Sequence, residues 1–215
     1  NIFKVLDYAT NLKFDDIFFI SNGYLLNEKN SEKILNSGLT KIMFSLDAFS
    51  PETYKERRLK NKKPAIYEKV IKNILAFLEL KKKLNKKFPL TRVSFIVMDN
   101  NKHEVDDFKK FWQNKVDAIH FQKLTDYSDS NIISESVTDS QCNMPMFRLS
   151  IKSDGNVKPC CVGYGEYINI GNVYKDSLYN IWNSNFMKNF QKMHIEKKAE
   201  NNEHCKKCLK NSSNV

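Results

Sequence analysis

Residues 41–58 read KIMFSLDAFSPETYKERR, and this stretch joins a buried strand to the start of a helix. Its first part, Lys41–Asp47, is apolar enough to predict a strand inside a sheet. Ser50 follows as a predicted helix N-cap, and Pro51 stands at the first helical position, where a missing N–H costs no hydrogen bond. The stretch therefore predicts one strand-to-helix unit of an α/β fold.

The same alternation of strands and helices extends over residues 1–122. Apolar strand patterns cover 16–20, 41–47, 92–98 and 116–122, and helical patterns cover 1–12, 28–37, 66–84 and 105–112. Strands that alternate with helices indicate a parallel sheet with helices packed on it. We therefore expect an α/β domain with about four strands and a helix between each pair.

The sequence changes character after residue 122. Residues 123–141 are rich in Ser, Asp and Asn and lack an apolar period, so we place a linker there. A separate module is predicted from residue 142 to residue 215. Its expected elements are two short strands at 147–151 and 156–159 around the turn Ser153-Asp154-Gly155, and a helix from Asp176 or Ser177 to Met193.

Four of the five cysteines form a pattern in this module. Cys142 and Cys160 belong to C-x12-G-x4-C, whose glycine is Gly155, and Cys205 and Cys208 form C-x2-C. A C-x2-C segment lets two thiolates reach one metal from the same side, and a hairpin that bends at glycine can bring a second pair opposite them. The odd number and uneven spacing do not suit a secreted disulfide framework, so we predict a metal or iron–sulfur site.

The spacing alone leaves the metal open. Structural zinc accepts the same four thiolates as a [4Fe–4S] cluster. His204 stands beside Cys205 and could replace one thiolate on zinc. Cys161 is left outside the ligand set, and His194 has no cysteine or carboxylate at ligand spacing, so we assign it no ligand role.

The net charge of +10 does not by itself indicate a nucleic-acid partner. Only four of the 35 basic residues are arginines, and the lysines are scattered. Specific contacts with phosphates and bases favour arginine forks with interleaved aromatic residues. We therefore expect no nucleic-acid partner. The chain also has no apolar run long enough to span a membrane and no signal-peptide pattern, so we expect a soluble, cytoplasmic protein.

Three pieces of the sequence, taken in order, resemble the radical SAM enzymes that carry a C-terminal SPASM domain. They are SNGYLL at 21–26, SLDAFSPETYKERR at 45–58 followed by YEKVIKNI at 67–74, and the cysteine pattern with IGNVYKDSLYNIWNS at 170–184. The resemblance covers almost the whole chain. It implies an α/β fold in which residues 1–122 form the C-terminal part of a partial (β/α)6, TIM-like barrel. Residues 142–215 would form a small cysteine-rich SPASM module, a β-hairpin plus a helix.

The resemblance also implies cofactors and site residues. Enzymes of this family hold a catalytic [4Fe–4S] cluster and S-adenosylmethionine (SAM) at the carboxyl ends of the barrel strands, and a 5′-deoxyadenosyl radical abstracts hydrogen from substrate. For SAM, the matching residues here are Asn22, Ser45, Asp47 and Arg58, with Arg57 as a rival of Arg58. For an auxiliary [4Fe–4S] cluster, they are Cys142, Cys160, Cys205 and Cys208. We identify no catalytic residue in the chain.

One departure from the family is clear. The C-x3-C-x2-C loop that binds the catalytic cluster is absent from the sequence, which begins at Asn1. We therefore expect an N-terminally truncated fragment that is inactive by itself, from a radical SAM oxidoreductase or maturase. The resemblance implies an electron donor such as flavodoxin or ferredoxin and a peptide or small-molecule substrate, and the short cysteine module favours a carbohydrate or other small molecule. The alternative is a zinc-stabilised, four-cysteine binding module on a degenerate α/β scaffold.

Overall fold

The computed structural model of the chain describes residues 1–59, 65–123, 142–160 and 168–212. The chain divides into two compact units, residues 1–124 and 125–215. The predicted linker at 123–141 lies outside the described residues except for Lys123, and Cys161 lies outside them as well.

Unit 1 contains a parallel sheet of four strands in the order β1-β2-β3-β4. The strands are β1 (Phe18–Ser21), β2 (Lys41–Ser45), β3 (Leu90–Val97) and β4 (Ala118–Lys123). The helices are α1 (Ile2–Asn11), α2 (Glu28–Leu35), α3 (Pro51–Tyr54), α4 (Ala65–Lys83) and α5 (Val105–Trp112). The predicted strands and helices of this half are all present, with their ends shifted by a few residues.

The core of unit 1 lies between the sheet and its helices. Ile42 and Phe44 of β2 are fully buried, as the strand prediction requires. Phe44 meets Phe77 of α4 edge to face at 5.9 Å between ring centroids, and Phe95 of β3 meets Phe108 of α5 at 4.8 Å. Aromatic contacts of this kind add to the free energy of burying the rings.

The stretch that follows β2 adopts the predicted cap. The Ser50 side chain accepts a hydrogen bond from the backbone N–H of Thr53, and Pro51 begins α3. The helix then passes into a π-helical turn, Lys55–Leu59, that carries both arginines of this stretch.

The helix predicted over 28–37 ends earlier than expected. α2 ends at Leu35, with Asn36 as its C-cap, so Gly38 does not directly terminate it. A Cβ at Gly38 would lie 2.1 Å from Oγ1 of Thr10. Glycine at this position therefore lets α1 approach the turn after α2.

Unit 2 contains a small antiparallel sheet and short helices. Its strands are β5 (Ser150–Ile151), β6 (Asn156–Lys158) and β7 (Gly171–Asn172), in the order β5-β6-β7. Its helices are α6 (Met144–Phe147), α7 (Leu178–Trp182), α8 (Asn185–Ile195) and α9 (Glu203–Ser212). The predicted hairpin is present, but Phe147 belongs to α6, and β7 was not predicted.

The single helix predicted up to Met193 is wrong, because α7 and α8 are separate helices. The Ser184 side chain accepts a hydrogen bond from the backbone N–H of Met187 and caps α8. Phe186 follows this break and is 51% exposed, so its ring does not lie in the core. Among the residues described, no helix has the length and apolar character needed to cross a membrane.

Candidate functional site

Three of the four residues predicted to bind SAM lie where strands of unit 1 end. Asn22 follows β1, Ser45 is the last residue of β2, and Asp47 comes two residues later. Neighbouring parallel strands place their carboxyl ends at one edge of a sheet, which is where α/β proteins bind ligands. The structure therefore brings these positions to a common edge.

Asp47 is the most constrained of these residues. It is 6% exposed and has a positive φ of 57°, which is uncommon for a residue with a side chain. Its Oδ1 accepts a hydrogen bond from the backbone N–H of Ile96 at 3.0 Å, and its Oδ2 forms an ion pair with Nη2 of Arg58. The carboxylate therefore connects the turn after β2 with β3 and with the π-helical turn.

The ion pair distinguishes the two neighbouring arginines. The guanidinium of Arg58 is directed to Asp47, at the edge where SAM is predicted to bind. The Nε of Arg57 is buried and makes no hydrogen bond to any residue that the structure describes. Of the two candidates, Arg58 is thus the one placed at the strand ends.

Ser45 and Asn22 both have partners inside the protein. The hydroxyl of Ser94 on β3 donates a hydrogen bond to Oγ of Ser45 at 3.4 Å. Oδ1 of Asn22 accepts a hydrogen bond from the backbone N–H of Tyr24 at 3.1 Å, across the turn at Gly23. Gly23 has a φ of +72°, which explains the glycine in this turn.

Two buried polar residues at this edge were not identified from the sequence. Asn101 is fully buried, and its Nδ2 donates to the carbonyl oxygens of Asp47 and Ile96 at 3.1 and 2.8 Å. Glu104 is 5% exposed and accepts hydrogen bonds from the backbone N–H of Phe49 at 2.7 Å and from the hydroxyls of Ser50 and Thr53. The signal was present as polar residues just after a buried strand. Most of their partners lie more than 50 residues away, so spacing did not reveal them.

The four patterned cysteines meet in unit 2. Cys142, Cys160, Cys205 and Cys208 line one cavity, together with the side chains of Pro145, Ile168, Phe190, His194, His204 and Leu209. The lining is largely apolar apart from the cysteines and the two histidines. The structure thus brings together cysteines that are up to 66 residues apart in the chain.

Local structure explains how each cysteine reaches the cavity. Cys142 precedes α6, which is held to α8 by a hydrogen bond from Nε2 of Gln191 to the carbonyl of Pro145 at 3.0 Å. Cys160 follows β6, whose hairpin turns at Gly155 with a φ of +81°. Cys205 and Cys208 lie on α9, where a spacing of three places both on one face.

The start of α9 is capped by a side chain. Oδ1 of Asn202 accepts hydrogen bonds from the backbone N–H groups of His204 and Cys205, both at 3.1 Å. The first cysteine of the C-x2-C segment is therefore held at a capped helix end, in a helix that was not predicted from the sequence.

Burial and mutual repulsion make the thiols of α9 weak acids. Burial raises the pKa of Cys205 to about 12, and the neighbouring Cys160 and Cys142 add to this effect. The pKa of Cys208 is raised to about 11 by burial and by the same two cysteines. Coordination to a metal cation deprotonates a thiol and offsets the repulsion between thiolates. The donor set therefore fits a group that carries positive charge and prefers sulfur ligands.

His194 lies against one of these cysteines. Its imidazole is 2% exposed, and its Nε2 is 3.6 Å from Sγ of Cys205. Burial lowers the pKa of His194, and the nearby backbone of Cys142 opposes this shift. We assigned this histidine no role from the sequence, because 11 residues separate it from Cys205.

The family model of the SPASM domain, an iron–sulfur cluster-binding domain, matches residues 142–209. The matched region contains all four patterned cysteines and the cavity that they line. The C-terminal unit contains a SPASM domain. No curated protein matches the chain.

Solved structures similar to most of the chain include those of SuiB from Streptococcus suis. The SuiB structure has 16% sequence identity and a TM-score of 0.55, and the match covers 86% of this chain and 52% of SuiB. SuiB bound to S-adenosylmethionine has 15% identity and a TM-score of 0.59, and the match covers 88% of this chain and 53% of SuiB. SuiB bound to the precursor peptide SuiA has 16% identity and a TM-score of 0.60, and the match covers 87% of this chain and 52% of SuiB. The chain thus spans about half the length of these structures.

These matches confirm the predicted fold class and the predicted SPASM domain. At this level of identity the SuiB structures show a shared fold. The ligand roles of the four cysteines and of the residues at the strand ends stay predictions. Among the described residues of the SPASM domain and of unit 1, no group of three or more His, Cys, Asp or Glu side chains is arranged to hold a single metal ion.

Proposed function

We propose that this chain belongs to a radical SAM enzyme whose SPASM domain binds an auxiliary [4Fe–4S] cluster through Cys142, Cys160, Cys205 and Cys208. The observation that carries the proposal is the meeting of these four thiols in one cavity of a domain that matches an iron–sulfur family. A cluster of this type takes four cysteine thiolates, which is the number that lines the cavity.

The surroundings of the cysteines support this use. The cavity walls include Pro145, Ile168 and Leu209, which would keep water away from the sulfur ligands. A low-polarity shell around an iron–sulfur cluster affects its reduction potential. When bound, the cluster would supply a one-electron centre. A reducing compartment such as the cytoplasm would keep the thiols available.

We further propose that SAM binds at the carboxyl ends of β1 and β2. A guanidinium carries five N–H donors, so Arg58 can remain paired with Asp47 and still have donors for a second group. We expect these remaining N–H groups to bind the SAM carboxylate. Ser45 and Asn22 would contact the rest of the nucleoside or the amino acid. The support is their common position at the strand ends and the overall fold shared with a SAM-bound structure.

The proposed substrate is a peptide, modified through hydrogen abstraction by a 5′-deoxyadenosyl radical. The support is the likeness to SuiB, whose structure is known with a precursor peptide. This replaces the carbohydrate or other small molecule that the short cysteine module favoured. A flavodoxin or ferredoxin would be the electron donor.

The cluster proposal is tested by anaerobic reconstitution followed by iron and sulfide analysis. We expect about four irons and four sulfides per chain with brown absorbance. Cys205→Ser and Cys208→Ser should lose most of the bound iron. Cys161→Ser is the control, because it removes the fifth cysteine of the chain, which is outside the predicted ligand set, and it should keep the iron.

Two results would contradict the cluster proposal. One is a colourless protein that binds a single zinc, which is the outcome expected of the zinc-stabilised binding module. The other is an equal loss of iron from the Cys161 control and the Cys205 variant.

The SAM proposal has its own test. In the whole enzyme, Arg58→Lys should weaken SAM binding, because lysine lacks the forked donors of arginine. Arg57→Lys, one position away, should leave SAM affinity unchanged. Equal SAM affinity in the Arg58 variant and the parent protein would remove this residue from the site.

A further inference from the structure

The buried histidine beside the cysteine cavity is available for a role that the proposed function does not use. His194 is at the end of α8, is 2% exposed and lines the same cavity as the four cysteines. Its ring packs against Phe190, one turn earlier on α8, at 4.8 Å between ring centroids. The imidazole is thus held in place by packing on its own helix.

The atoms of the ring determine which way a hydrogen bond can run. Nε2 of His194 is 3.6 Å from Sγ of Cys205, a distance at which sulfur accepts hydrogen bonds. A cysteine that ligates iron is a thiolate and has no proton to donate. In the domain with its cluster bound, a hydrogen bond between these two atoms is therefore donated by Nε2, which requires the proton on that nitrogen.

Nδ1 of His194 is buried and makes no hydrogen bond of good geometry to any residue in the described ranges. The backbone of Cys142 nevertheless lies close enough to interact with the ring. The imidazole therefore lies near two of the four predicted ligands, Cys142 and Cys205.

We propose that His194 donates a hydrogen bond from Nε2 to the ligating sulfur of Cys205 and so raises the reduction potential of the cluster. It is a positioning residue, because it acts on the cluster through Cys205. The physical reason is charge. Reduction adds one electron to the cluster and its thiolates, and a hydrogen bond to sulfur stabilises that added negative charge. The proposal rests on the proposed function, because it requires the cluster to be bound.

The test is the midpoint potential of the reconstituted cluster, measured by titration with dithionite and followed by electron paramagnetic resonance. Three variants differ in what they place near Cys205. His194→Phe keeps a ring without a donor, His194→Asn places its amide at the position of Nδ1, and His194→Gln can place its amide N–H at the position of Nε2.

We expect His194→Phe and His194→Asn to change the ratio of reduced to oxidised cluster about tenfold at a fixed potential, toward the oxidised form. For a one-electron couple this is a fall of about 59 mV in midpoint potential. His194→Gln should stay much closer to the parent. The Asn and Gln variants carry the same amide group and differ only in length, so a general effect of polarity or folding would not separate them.

The outcomes distinguish this inference from the proposed function. If the parent protein binds no cluster, the proposed function fails, and the inference fails with it. If all variants bind about four irons and share the parent's potential, the inference alone is overturned. It is also overturned if the Asn and Gln variants shift equally. If His194→Phe does not fold, the Asn and Gln pair still decides.

Discussion

Replacing Asn101 with alanine should destabilise unit 1 by about 3 kcal/mol. Its side chain makes three hydrogen bonds to backbone groups: Nδ2 donates to the carbonyls of Asp47 and Ile96, and Oδ1 accepts from the N–H of Met98 at 2.7 Å. Each bond is worth about 1 kcal/mol in net stability. Because Asn101 is fully buried, water cannot easily replace the lost amide.

The two tryptophans allow this unit to be observed by itself. Trp112 is 1% exposed in unit 1, and Trp182 lies on α7 of unit 2. In a Trp182→Phe background, the fluorescence of Trp112 reports the unfolding of unit 1 in urea. The free energy of unfolding follows from linear extrapolation, provided that the slope with urea is unchanged.

Asn100→Ala is the matched control for this experiment. Asn100 is the neighbouring asparagine, is exposed, and makes an exposed side-chain hydrogen bond to Glu56. Its loss should cost less than about 0.5 kcal/mol. If Asn101→Ala costs no more than this control, the buried amide does not hold the ends of β2 and β3 together, and the reasoning is refuted.

Three further changes test other parts of the fold. Gly38→Ala should lower the melting temperature, because its Cβ would lie 2.1 Å from Oγ1 of Thr10; an unchanged melting temperature would mean that α1 moves away at no cost. Asp117 is partly buried, which raises its pKa, but hydrogen bonds from Thr91 at 2.6 and 2.7 Å outweigh this and lower it. Its stabilising contribution is therefore present above the carboxyl's unfolded pKa and is lost as the pH falls through the folded one. Asp117→Asn should flatten the acid side of a stability–pH curve measured by urea unfolding. Ser184→Ala should cost about 1 kcal/mol through loss of the α8 N-cap, and Ser184→Asp should restore it, as measured by thermal unfolding.

Much of unit 1 was predictable because its signals are local. The cap at Ser50 and the apolar residues of β2 act within a few positions of one another, and the structure has both as predicted. Parallel pairing then follows from the alternation of strands and helices. The strand predicted over 16–20 also puts Asn22 just after a strand, as it is in the structure.

Unit 2 was harder to predict because two patterns overlap. Trp182 and Phe186 are four residues apart, which is the spacing of one helix face, so the apolar period continues across the break between α7 and α8. Ser184 is a typical N-cap residue, but the apolar helical period that continues past it favoured a single helix. Strand β7 has only two residues and is defined by its pairing with β6. The residues near β7 in the sequence do not predict this pairing.

The partners in both sites were beyond any local signal. His194 meets Cys205 across the turn between α8 and α9, and Asn101 meets Asp47 from 54 residues away. Spacing rules detect residues that share one element, such as Cys205 and Cys208 on α9. They do not detect a side chain that a different element brings to the site, which is how His194 and Asn101 were missed.

The two sites are prepared for their ligands in different ways. At the strand ends, Asp47 is bonded to Arg58, Ile96 and Asn101, so the protein fixes this edge with its own polar contacts. In the SPASM domain, the cysteines come from three segments, and their thiols repel one another as thiolates. A cluster that binds all four thiolates would join these segments and offset the repulsion, so cluster binding there would contribute directly to folding. We therefore expect loss of the cluster to destabilise unit 2 far more than loss of SAM destabilises unit 1.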